Sequence, residues 1–203
     1  MIDSTVHGLF PTPIYISKLK RKFTTKENKF IQKTKRDIYK NEGNTTSNDT
    51  YILNNKIFNK LKKELEDFVK DYFNKVLSAK NVSPYITQSW LNYTEKNQYH
   101  HKHRHTNSMV SGVFYMDADK EYDKIKFFKD NYSTIQTEVK DYNVWNAETW
   151  WFPVETNQLF LFPSSLEHMV ETKKGSNTRT SLAFNVFVKG SLGGTKTLTE
   201  LKL

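Results

Sequence analysis

The stretch QLFLFPSSLEHMVETKKGSNTRTSLAFNVFV, residues 158–188, decides the reading of the fold. Its apolar runs QLFLFPS, HMVET and TRTSLAFNVFVKG are rich in aromatic and β-branched residues and are divided by Pro, Ser, Gly and Asn, the texture of short strands joined by turns. The same texture recurs upstream in ITQSWLNYT (86–94), MVSGVFYMDA (109–118), KIKFFKD (124–130) and VWNAETWWFPV (144–154). Seven such runs, roughly 10–15 residues apart, predict a sandwich or barrel. Asn157, in the turn Glu155-Thr156-Asn157-Gln158, can take the positive φ that a tight connection often needs. Trp150, Trp151 and Phe162 read as aromatic lining of the barrel.

Upstream of Pro84 the pattern changes. Ile57, Phe58, Leu61, Leu65, Phe68, Val69, Tyr72, Phe73 and Val76 fall in steps of three and four, which predicts an amphipathic helix from about Lys56 to Ser78, capped by Asn54 or Asn55. A weaker helical pattern covers Thr25 to Tyr39, followed by a polar loop around NEGNTTSND. GLFPTPIYISK, residues 8–18, reads as a short strand whose prolines suit a sheet edge. With 203 residues and neither repeat nor linker, one domain is expected: an N-terminal strand with supporting helices over 1–85, a β core over 86–190 and a tail over 191–203.

The chain contains no cysteine, which excludes disulfides, thiolate zinc sites, iron–sulfur clusters and thiol nucleophiles. A metal must therefore rest on His, Asp or Glu. No leader pattern or 18-residue apolar run occurs, so a soluble cytoplasmic protein without a membrane partner is expected. The net charge of +9 invites a nucleic-acid reading, but only Arg21, Arg36, Arg104 and Arg179 of the 31 basic residues are arginine, and the lysines are spread along the chain. Diffuse lysine favours a solvated surface over a nucleic-acid footprint.

Four of the six histidines fall in the window YHHKHRH, residues 99–105. On an extended segment His101, His103 and His105 share one face, with roughly 7 Å of rise between successive members. Either His-x-His pair could chelate one ion, and spacing alone leaves both open. His168 is the candidate for a distal third ligand. Arg179 and Ser181 follow, two apart on a strand and so on one face, where a forked ion pair and a hydroxyl could grip a carboxylate. In a chain that otherwise prefers lysine, an arginine here is informative.

This order resembles the 2-oxoglutarate/iron(II) oxygenases, and more closely a subfamily found in phages and marine bacteria. The matching segments are LFPTPIY (9–15), SWLN (89–92), the His-x-His followed by SGVFYM (111–116), LFPSSLEH (161–168), RTSLAFN (179–185) and GSLGGTKTLTEL (190–201). The resemblance implies a mainly β fold, a double-stranded β-helix of the jelly-roll or cupin kind, with the N-terminal helices packed on it. It implies Fe(II) on His103, His105 and His168, the far carboxylate of 2-oxoglutarate on Arg179 and Ser181, and Tyr99 and Asn92 as further cosubstrate contacts. Oxidative decarboxylation would give succinate and carbon dioxide, with O2 consumed to hydroxylate an unidentified substrate: a protein side chain, a nucleobase or a metabolite. The setting would be the cytoplasm of a bacterial or phage-infected cell. Many relatives carry a carboxylate where His105 stands, so a three-histidine site would lack one negative charge.

Two rival classes remain at this level. A His-x-His with a distant His also suits a zinc hydrolase or lyase, which would not need Arg179. A non-catalytic basic binding module would use the histidines and lysines on nucleic acid or protein.

Overall fold

The computed structural model describes residues 2–130, 135 and 137–203. Strand β1 (Tyr15–Lys18) is followed by helix α1 (Thr25–Thr34), strands β2 (Ile38–Lys40) and β3 (Thr45–Ser47), and helix α2 (Asn59–Lys75). The β core then runs through β4 (Val82–Thr94), β5 (His100–His103), β6 (Val110–Asp117), β7 (Lys124–Phe128), β8 (Thr149–Pro153), β9 (Gln158–Pro163), β10 (His168–Val170) and β11 (Arg179–Leu192). A short β12 (Leu201–Lys202) pairs with β11.

All strand pairs between these elements are antiparallel, and they form two sheets. The larger runs β1-β9-β6-β11-β4-β3-β2, and the smaller runs β5-β10-β7-β8. Strands β4, β6, β9 and β11 of one sheet thus face β5, β7, β8 and β10 of the other, the double-stranded β-helix implied by the motifs. The seven apolar runs became strands, and the histidine window supplied the eighth, β5.

Side-chain alternation divides the interior in two. Leu91, Tyr93, Phe114, Leu161, Leu182 and Phe184 point from the larger sheet to α2, which presents Leu61, Leu65, Val69 and Tyr72 in return. On the opposite face Tyr115, Phe160 and Phe162 meet Ile125, Phe127 and Val170 of the smaller sheet. The two helices therefore brace the outside of the sheet whose inner face carries Arg179 and Ser181.

Several boundaries differ from the sequence reading. The long helix begins only at Asn59, after two 3-10 turns (Ile52–Asn54 and Lys56–Phe58), and ends at Lys75; Asn55 caps the second turn by accepting from the Ile57 amide at 3.1 Å. Helix α1 ends at Thr34, and its start is fixed by reciprocal hydrogen bonds between Thr24 and Glu27. The polar loop beyond it contains β3, because Thr45 and Thr46 pair with Tyr93 and Asn92. Strand β1 does occupy an edge, and Asn157 has φ 70°. Trp150 and Trp151 do not line the barrel: they lie on the edge strand β8, 39% and 47% exposed, while Phe162 is buried. Lys124 Nζ, from the neighbouring strand β7, covers the Trp151 ring at 4.0 Å. No helix among the described residues is long and apolar enough to cross a membrane.

Gly112 of the SGVFYM run sits directly opposite Phe184, and a Cβ there would lie 2.1 Å from Phe184 Cζ. Because that ring is buried among Leu and Phe side chains, Gly112→Ala is expected to cost about 1–3 kcal/mol in urea unfolding. A cost below about 0.5 kcal/mol would mean that the ring swings aside without disturbing the core.

Candidate metal centre

Adjacent strands of the smaller sheet bring the histidines together. His103 on β5 is the register partner of His168 on β10, with ring centroids 4.3 Å apart. Beyond the end of β5 the His105 amide donates to the Ser164 carbonyl at 3.0 Å, which holds this segment beside the turn after β9. The His105 ring then lies 5.0 Å from His103 and 5.3 Å from His168. Each of the three offers a ring nitrogen within 4.8 Å of the other two.

Strict alternation along YHHKHRH is broken. Val170 pairs with His100 while His168 pairs with His103, so three residues of β5 span two of β10. The extra residue is a bulge, and it turns His100 as well as His101 toward the cluster, with centroids 4.6 and 4.8 Å from His103. His100, His101 and His103 accordingly form a second set of converging nitrogens.

Hydrogen bonds fix the tautomers at the centre. His103 Nδ1 lies 2.8 Å from the His101 carbonyl and His168 Nδ1 3.1 Å from the Leu166 carbonyl. A carbonyl only accepts, so each Nδ1 carries the proton and each Nε2 keeps its lone pair for a ligand. Burial depresses the basicity of all three rings: His168 falls well below the usual imidazole value, His105 falls to about 4 and His103 falls as well, with neighbouring positive charge adding to the effect. Neutral rings with free Nε2 atoms form a donor set that suits a borderline divalent ion such as iron(II) or zinc(II). Phe162 and Phe127 pack against His168, and Trp90 against His105.

Across the interior, Arg179 stands at the start of β11, 3% exposed. Its Nη1 donates to Asp123 Oδ1 at 3.0 Å. Lys173 Nζ reaches the same carboxylate at 3.2 and 3.3 Å, and both Lys173 and Asp123 are wholly buried. Two cations on one carboxylate leave a buried excess of one positive charge. Arg179 Nη2 and the Tyr115 hydroxyl are also buried without a hydrogen-bond partner among the described residues. Uncompensated buried charge is costly, and the donors here are complete for an anion.

Ser181, 9% exposed, is the register partner of Asn92 on β4, whose side-chain oxygen accepts from Thr46 at 3.0 Å. Tyr99 lies at the edge of this region, where its ring packs on Gly43 of the β2–β3 connection. A Cβ on Gly43 would meet the Tyr99 carbonyl oxygen at 2.7 Å, which accounts for glycine at φ 88°. His100 joins the two halves, since its ring is close enough to feel the charges of His103, His168 and Arg179, which together with burial hold it well below the usual imidazole range.

The sequence reading missed His100, Tyr115, Asp123 and Lys173. His100 and Tyr115 stood in motifs already singled out. Asp123 and Lys173 had no local signal, because charged residues in polar turns ordinarily face water.

The sequence matches no curated protein. Residues 88–185 match a family described as "Putative 2OG-Fe(II) oxygenase", a segment that includes every histidine of the cluster together with Asp123, Lys173, Arg179 and Ser181. Among solved structures, HygX from Streptomyces hygroscopicus with nickel and 2-oxoglutarate bound is similar at TM-score 0.59 and 11% identity, over 86% of this chain and 82% of that one. The α-ketoglutarate-dependent carbocyclase SnoK from nogalamycin biosynthesis aligns at TM-score 0.56 and 9% identity, over 88% and 82%. An oxidoreductase of the 2OG-Fe(II) oxygenase family from Burkholderia pseudomallei aligns at 0.54 and 12%, over 80% and 78%. At these identities the three structures establish a common fold.

Proposed function

We propose that this chain, whose residues 88–185 match a 2OG-Fe(II) oxygenase family, is a dioxygenase that binds iron(II) on His103, His105 and His168 and 2-oxoglutarate on Arg179 and Ser181. The observation that carries the reading is the pairing of three neutral, converging imidazoles with a buried arginine whose Nη2 has no partner. A zinc hydrolase would explain the first feature and leave the second without a purpose.

Bound iron(II) would supply the activation of O2 and the oxidative decarboxylation of 2-oxoglutarate to succinate and carbon dioxide, coupled to hydroxylation of a C–H bond in the substrate. The protein's part is positioning. The Nδ1 hydrogen bonds of His103 and His168 keep their rings turned with Nε2 toward the ion, and Phe162 and Phe127 shield His168 from water. Arg179, held on one side by Asp123, offers its free arm to the distal carboxylate, with the Ser181 and Tyr115 hydroxyls as neighbouring donors. Asn92 and Tyr99 flank the cosubstrate in this reading. Replacement of the commoner carboxylate by His105 leaves the centre one negative charge short, which weakens its hold on a dication.

Protein purified without oxygen and reconstituted with iron(II) is expected to form succinate only when 2-oxoglutarate and O2 are both present. His103→Ala, which removes a donor common to every converging set, should lose both bound iron, measured by elemental analysis, and succinate formation, and His168→Ala should lose succinate formation. Turnover of any substrate that persists without 2-oxoglutarate in the zinc-loaded protein would overturn the assignment.

A further inference from the structure

We propose that His100, His101 and His103 form a second divalent-cation site, which shares His103 with the first triad and is therefore occupied only when the first is not. Their ring nitrogens lie within 4.8 Å of one another, as those of His103, His105 and His168 do. Nitrogens bound to one tetrahedral zinc or cobalt at about 2.0–2.1 Å stand roughly 3.4 Å apart, and rings already within 4.8 Å need little convergence to reach that spacing.

The surroundings permit that convergence. His101 Nδ1 is 3.3 Å from the Glu42 carbonyl, so Nδ1 is the donor and Nε2 is free. His100 and His103 lie nearly parallel, 19° apart, and closure on an ion requires the His100 ring to turn about its Cβ–Cγ bond. That torsion is broad in histidine, and the contact of the ring with the Asn41 side chain, at 3.5 Å, is near the limit of a hydrogen bond. Glu42 of the β2–β3 connection thus orients His101 as Leu166 orients His168.

Exclusivity follows from His103. Its Nδ1 is committed to the His101 carbonyl, which leaves one lone pair, on Nε2, for both triads. An ion can pass from one to the other by exchanging two histidines while His103 stays bound. This site depends on the ring geometry alone; of the oxygenase reading it uses only the His103 donor.

Cobalt(II) titration of the metal-free protein, followed by visible absorption and by equilibrium dialysis, tests this directly. Wild type should bind one cobalt. The double variants His105→Ala with His168→Ala, and His100→Ala with His101→Ala, should also bind one each, with different ligand-field spectra. His103→Ala should weaken binding by more than about a hundredfold, a larger effect than loss of a group outside the ligand set. A folded His105→Ala, His168→Ala protein that takes up no cobalt would overturn the proposal, as would two cobalt ions in wild type. Should that variant fail to fold, His168→Gln keeps the buried volume; its cobalt affinity must then fall when His100 and His101 are replaced, and independence from them would equally overturn it. Since iron- and 2-oxoglutarate-dependent succinate formation by wild type is a separate readout, failure of one proposal is distinguishable from failure of the other.

Discussion

Asp123→Asn is expected to destabilise the protein by about 3–5 kcal/mol, one of the two largest effects anticipated. The side chain sits wholly buried between Lys173 Nζ and Arg179 Nη1, so the amide would leave two cations facing each other with no counter-charge. Lost hydrogen bonding is the smaller part, because Asp123 Oδ2 also accepts from the Asp119 amide at 2.8 Å and an asparagine oxygen could keep that contact. Equilibrium urea unfolding of the metal-free protein measures the loss. A second substitution separates charge from packing: adding Lys173→Met returns the cluster to a single positive charge, as in wild type, and should restore a large share of the stability. A loss within about 1 kcal/mol for Asp123→Asn would show that water reaches the cluster in solution and that its charges are not desolvated.

Arg179→Met should do the reverse, with little change in fold and a large change in cosubstrate binding. Its removal leaves Lys173 and Asp123 as a neutral buried pair, and the methionine stem fills much of the vacated space. What is lost is the charge-assisted grip on a carboxylate. Loss of about 3 kcal/mol of such bonding corresponds to roughly a hundredfold rise in KM for 2-oxoglutarate. Arg179→Lys should recover only part of this, since a single ammonium cannot hold Asp123 and present a second arm at the same time. Succinate formation against 2-oxoglutarate concentration provides the measurement. A KM within threefold of wild type would locate the carboxylate elsewhere, with Lys173 as the first alternative.

The two variants probe one cluster that sequence reading saw only in part. Arg179 stood out because the chain so rarely uses arginine, and its two-residue spacing from Ser181 put both on one strand face. Asp123 and Lys173 lie 56 and 6 residues away from it in a chain where charge in a polar turn usually means exposure. Their burial results from how the turn after β6 and the connection after β10 close over the start of β11, which no local pattern encodes. The histidine window shows the same division. Its composition announced a segment able to bind a metal, while which histidines converge depended on a bulge in β5 and on the alignment of His168 with His103.

By itself the sequence determined the local terms: strand and helix periods, the cap at Asn55, the edge character of β1, and the residue types able to hold a metal or a carboxylate. These follow from interactions between residues a few positions apart, whose energies depend on the order of side chains alone. Only the tertiary structure decided which histidines converge, that a second triad shares His103, and that a carboxylate and two cations are sealed together under the sheet. Those outcomes rest on strand register between distant segments and on exclusion of water. A shift of one residue would send each side chain to the opposite face of the sheet.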